Sequence, residues 1–131
     1  NRTGVHICKS EVCDGTVPHN FESETFDRVL CDVPCSGLGD LCHKPEIRWH
    51  VKPEDLDEIM KTQKQILLCS SEYLKKGGLL VYSTCTLNRK ENENQISAFL
   101  KEHEDFELLK EKTVFPDDTH DGFYVACMRK R

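Results

Sequence analysis

Short apolar runs alternate along this chain with amphipathic stretches of helical period, a pattern that predicts strands and helices in turn. Val5 to Val12, with Ile7 and Cys8 between them, predicts a first strand ending at Cys13-Asp14-Gly15. Segment 16–25 is polar, carries Pro18 and Asn20, and predicts a loop. Phe26 to Cys31 predicts a buried strand. Residues 32–52 hold Gly37, Gly39 and Pro45 and predict a long loop, a length that inside a domain usually carries function. Pro53 suits a first helical position, with Glu54 and Asp55 at the positive end of the helix. Leu56, Ile59, Met60, Gln63, Ile66, Leu67, Ser70, Tyr73 and Leu74 then keep the 3.6-residue period, and Lys75-Lys76-Gly77-Gly78 predicts the stop.

Leu79 to Ser83 predicts the next strand. Asn88 with Glu91 predicts an N-cap and its reciprocal carboxylate, before a helix whose inward face is Ile96, Phe99 and Leu100. Phe106 to Val114 and Gly122 to Met128 predict an antiparallel terminal pair joined by Phe115-Pro116 and a polar loop. Strand, strand, helix, strand, helix, strand, strand is the order of the later two-thirds of a Rossmann-like α/β sheet. The glycine-rich first turn of such a sheet is not in this sequence, since Gly37-Leu38-Gly39 is too short and follows a cysteine loop. The expected organisation is one domain over residues 1–131, the C-terminal portion of a larger catalytic domain, opening at Asn1 with mid-domain character.

Charge and cysteine usage narrow the chemistry. With 18 Lys and Arg against 23 Asp and Glu, the net charge of −5 argues against a free-standing nucleic-acid binder held by backbone charge. Basic residues do gather locally at His43, Lys44, Arg48, His50 and Lys52, around Trp49. The eight cysteines come without a signal-type apolar segment, so a disulfide framework is not expected. No C-x-x-C occurs, and Cys31, which loosely clusters with Cys35, Cys42 and His43, falls in a strand; no metal is expected. Reduced thiols in a cytoplasmic protein are the reading. No apolar stretch is long enough to span a bilayer.

Two of those thiols stand at strand ends: Cys35 in Asp32-Val33-Pro34-Cys35-Ser36-Gly37, and Cys85 in Tyr82-Ser83-Thr84-Cys85-Thr86. Ligands of open α/β sheets bind at the carboxyl ends of strands, so Cys35, Cys85 and Asp32 are expected around one crevice suited to covalent thiol chemistry. A cysteine hydrolase would need a His beside one thiol, and neither His43 nor His50 sits at a strand end.

Those two loops, together with Lys44-Pro45-Glu46-Ile47-Arg48-Trp49, Leu87-Asn88 with Glu91-Asn92-Glu93, and Asp121-Gly122-Phe123-Tyr124, resemble the Sun/RsmB-type RNA cytosine-5 methyltransferases. The blocks stand in the family's order and cover residues 26–131, with Cys13-Asp14-Gly15 as a weaker addition. The resemblance implies an S-adenosylmethionine-dependent enzyme acting on cytosine in RNA, ribosomal RNA in the best-matched relatives. It implies Cys85 as the nucleophile, Cys35 as the thiol that assists product release, and Asp32 as the contact to the cytosine. It further implies the cofactor near Asp14, Asp32 and Pro34, and RNA contacts from Lys44, Arg48 and Trp49. Asp14-Gly15 is equally a turn signal by itself. Arg89 stands where the family usually has proline, a departure expected to touch only a helix start. A second function fits the missing glycine loop: a non-catalytic fragment that contacts RNA or serves assembly.

Overall fold

The computed structural model describes residues 4–38 and 52–131. β1 (Phe26–Asp32) and β2 (Leu74–Thr84) pair in parallel, because α1 (Pro53–Glu72) carries the chain back along the sheet between them. After α2 (Glu93–Glu102), β3 (Phe106–Val114) and β4 (Phe123–Lys130) form the expected antiparallel pair, and β4 inserts beside β2. The sheet order is β1-β2-β4-β3.

The two-residue strand period decides which side is core. Cys31 of β1, Leu80 and Tyr82 of β2, and Tyr124, Ala126 and Met128 of β4 face one side and are buried there against Leu67 of α1 and Ile96 and Phe99 of α2. Each fully buried aliphatic or aromatic side chain contributes about 1.5–3 kcal/mol, so this face holds the helices to the sheet. On the opposite face Leu30 is 68% exposed, since among the described residues both helices lie against the other side. No helix among the described residues is long and apolar enough to cross a membrane.

Four expectations are corrected. Residues 5–12 form no strand: Ile7 and Val12 are exposed, and no strand among the described residues offers that segment a ladder. Phe26–Cys31 is a strand but not a buried one, because among the described residues β1 is an edge with one face bare; only its Cys31 is buried. α1 stops at Glu72 with Tyr73 as its C-cap, and Leu74 to Gly78 belong to β2. There Phe26 pairs with Leu74 and Arg28 with Leu79, so residues 75–78 bulge out of the ladder, with Gly77 at φ +80°. Finally, α2 begins at Glu93 with Asn92 at the N-cap, which leaves Asn88 and Glu91 free for another task.

Candidate active site

Parallel pairing creates the site. Asp32 lies opposite Ser83, and Val33 N–H donates to Ser83 O at 3.1 Å, so the two strands run out together and release their loops side by side. Cys35 follows three residues after Asp32, and Cys85 two residues after Ser83. Their Sγ atoms are 2.8 Å apart, well beyond the about 2.05 Å of a disulfide, and both thiols are free. Cys85 is exposed and Cys35 half-buried. Burial first, then the hydrogen bond with Cys85, pushes the Cys35 thiol up from 9.0 to about 12.

Asp32 is exposed at the same strand end, and its Oδ1 accepts a hydrogen bond from Ser83 Oγ at 2.8 Å. Pro34 is exposed beside it, its carbonyl held by Gln63 Nε2 of α1 at 2.9 Å. Cys35 and Cys85 therefore meet, and Asp32 stands at the end of the strand that leads to Cys35. Asp14 has surroundings of its own. It lines an apolar groove of about 210 Å³ with Gly15, Phe26, Val29, Ser70 and Tyr73, beside the amino-terminal part of β1. Its Oδ1 accepts from Thr16 N–H at 2.9 Å and Thr16 Oγ1 at 2.6 Å, and these bonds hold its carboxyl below the usual carboxylate range. This is the Asp-Gly turn. Lys44, Arg48 and Trp49, with Cys42 and His43, lie outside the described residues. Among the described residues no group of three His, Cys, Asp or Glu is placed to hold a metal.

Asp32 and Pro34 stand where α/β sheets take their ligands and would hold a sulfonium cofactor there.

Behind the thiols lies a residue that the sequence pattern read only as a helix cap. Glu91 is fully buried. Its Oε1 accepts from Ser36 N–H at 2.9 Å and Gln63 Nε2 at 3.0 Å. Its Oε2 accepts from Ser36 Oγ at 2.7 Å, Asn88 Nδ2 at 3.0 Å and Thr86 Oγ1 at 3.4 Å. Next to it, Asn92 Nδ2 donates to Thr86 O at 2.9 Å and Thr84 Oγ1 donates to Asn92 Oδ1 at 2.6 Å. The signal in the sequence was the Glu91-Asn92 pair just past Cys85, but a surface cap and a buried clamp look alike there. Arg89 lies in the turn before α2, its carbonyl accepting from Asn92 and Asn94 N–H, so its departure from proline stays at a helix start.

The described residues thus form an α/β sheet with paired thiols at adjacent strand ends. The sequence pattern described as 16S rRNA methyltransferase RsmB/F matches residues 1–129, and the chain belongs to that family. It is 39% identical to the probable ribosomal RNA small subunit methyltransferase B of Bacillus subtilis (strain 168), over 100% of this chain and 34% of the relative. It is 41% identical to the probable enzyme of that name from Synechocystis sp., over 82% of this chain and 28% of the relative. The crystal structure of PH0851 superposes with a TM-score of 0.92 at 31% identity, over 98% of this chain and 32% of that one. A methyltransferase homolog protein from Pyrococcus horikoshii follows at 0.68 and 30%, over 86% and 40%. The chain thus spans about a third of the length of the curated relatives it matches.

Proposed function

We propose that this chain is the thiol-bearing portion of an S-adenosylmethionine-dependent RNA cytosine-5 methyltransferase acting on ribosomal RNA. The observation that carries the reading is the 2.8 Å meeting of Cys35 and Cys85 Sγ at the carboxyl ends of β1 and β2. Carbon 5 of cytosine is a poor nucleophile, and adding sulfur at carbon 6 turns the ring into an enamine-like species. Exposed Cys85 is the nucleophile: its Sγ bonds to carbon 6, and the ring's electron pair moves toward carbon 5. Cys35 is the partner thiol. Its burial and its bond to Cys85 keep Cys35 protonated.

Asp32, exposed in the free protein, gives a proton at the ring nitrogen only once the base covers it and strips its water. When bound, the cofactor supplies an electrophilic methyl group. Release requires the carbon 5 proton to leave, the ring double bond to re-form, the carbon 6–sulfur bond to break and the ring-nitrogen proton to return to Asp32. Cys35 gives its proton to the departing Cys85 sulfur and, having lost it, is a strong enough base to take up the carbon 5 proton directly or through water. The target cytosine must be unpaired or extruded for carbon 6 to be reached. Lys44, Arg48 and Trp49 are the proposed RNA contacts, and a cytoplasmic location goes with thiols that work reduced.

RNA carrying 5-azacytidine, incubated with the longest form of the protein that its gene encodes, is expected to form a stable adduct on Cys85. With ordinary RNA, Cys35→Ala should accumulate the covalent complex and Cys85→Ala should form none. Mapping of the adduct to Cys35 by mass spectrometry would reverse the two roles, and equal loss without adduct in both variants would remove them.

A further inference from the structure

We infer that Glu91 is the positioning residue that sets the separation of the two thiols. Buried carboxylates are costly unless hydrogen bonds or counter-charges answer them. Every donor found on Glu91 among the described residues is neutral, and those donors come from three separate places. Ser36, through both its N–H and its hydroxyl, is the residue directly after Cys35. Thr86, through its hydroxyl, is the residue directly after Cys85. Gln63 belongs to α1 and also holds the carbonyl of Pro34, the residue directly before Cys35. Ser36 Oγ and Thr86 Oγ1 are themselves 3.0 Å apart. One carboxylate therefore grips the chain next to each thiol and ties both loops to the helix behind them.

The geometry makes the group hard to replace. Five donors converge on two oxygens, which only an acceptor at both positions can satisfy. In Glu91→Gln one oxygen becomes an NH₂ group. Placed at Oε1 it faces the backbone N–H of Ser36, which cannot turn away. Placed at Oε2 it faces the Asn88 amide, whose oxygen already accepts from Lys90 N–H at 3.1 Å. Glu91→Asp keeps both acceptors but is a methylene short of reaching both loops. Among the described residues nothing else in the loops crosses between them as broadly, so loss of this clamp lets the sulfurs separate while the strands stay paired.

This inference rests on the methyltransferase reading for its catalytic consequence but not for its geometric one. Two readouts keep them apart. The first is dibromobimane, which becomes fluorescent only when it bridges two nearby thiols. The bridge between Cys35 and Cys85 is located by peptide mapping. The intact protein should bridge them, and Glu91→Gln should lose bridging to the level of Cys35→Ser, at a folded fraction matched by thermal melting. Phe106→Leu, which weakens the core at the far end of the sheet, should bridge like the unmodified protein. The second readout is methyl transfer in the longest encoded form. Glu91→Gln should lower kcat by about 10²-fold with KM little changed, the scale expected for misplaced reacting groups, and Glu91→Asp should recover only part of it. Full bridging in Glu91→Gln, or equal loss in Phe106→Leu, overturns the inference. Absence of methyl transfer or adduct in the unmodified protein, with the bridging pattern as stated, overturns the methyltransferase reading alone.

Discussion

Cys35 shows what a single residue contributes beyond its identity. A thiol pushed up to about 12, by burial first and by the neighbouring sulfur second, stays protonated across the neutral range, whereas thiolate is what alkylating agents attack. With iodoacetamide at pH 8, Cys85 should therefore be modified well before Cys35, as read by peptide mass spectrometry. The Cys35 rate should still be climbing above pH 10. A Cys35 rate that levels off near pH 9 would contradict the buried, sulfur-bonded setting. The identity and strand-end position of both thiols were legible in the sequence, because strand-end loops are marked by an apolar run followed by a turn. The 2.8 Å separation was not, since it depends on the register of β1 against β2. Asp14 shows what can be read locally: its Asp-Gly turn is marked in adjacent residues, and Thr16 closes it.

At the level of elements, the instructive case is Lys75-Lys76-Gly77-Gly78. Late cations followed by glycine read as a helix end, and α1 does end just upstream. The same residues also suit a bulge, and the pairing of Leu74 with Phe26 makes them one. Gly77 has φ +80°, so Gly77→Ala should cost about 1–2 kcal/mol from the left-handed conformation alone. Gly78→Ala should cost more: its new Cβ would lie 2.7 Å from Leu74 Cδ1, 2.8 Å from Lys75 O and 2.9 Å from Asp27 O, and backbone carbonyls yield poorly. Urea midpoints of the two variants should fall in that order. Equal midpoints, or the reverse order, would mean the bulge is not as packed as it stands here.

For the molecule as a whole, the buried thiols and phenols set an alkaline limit. Burial raises Cys31 to about 11 and Cys35 to about 12, from an ordinary 9.0, and raises Tyr82 and Tyr124 above their ordinary 10.0. Above pH 9 the unfolded chain gives up these protons while the folded chain keeps them. The unfolded state then binds fewer protons, and stability falls as pH rises. Below about pH 8 both states hold the protons and these groups add no slope. Urea unfolding followed from pH 8 to pH 11 should show a steadily falling midpoint, and a flat profile would mean that these groups are hydrated in the fold.

Local chemistry was enough to establish the α/β order, the antiparallel terminal pair, the helix start at Pro53 and the two cysteine loops, because strand and helix periods and turn residues are written in neighbouring positions. Only the folded chain decided that, among the described residues, β1 is a half-bare edge, residues 5–12 find no strand partner, and Glu91 faces inward. Each of those depends on which distant segment lies alongside, and a ladder partner or a converging donor has no signature in the residues next to it.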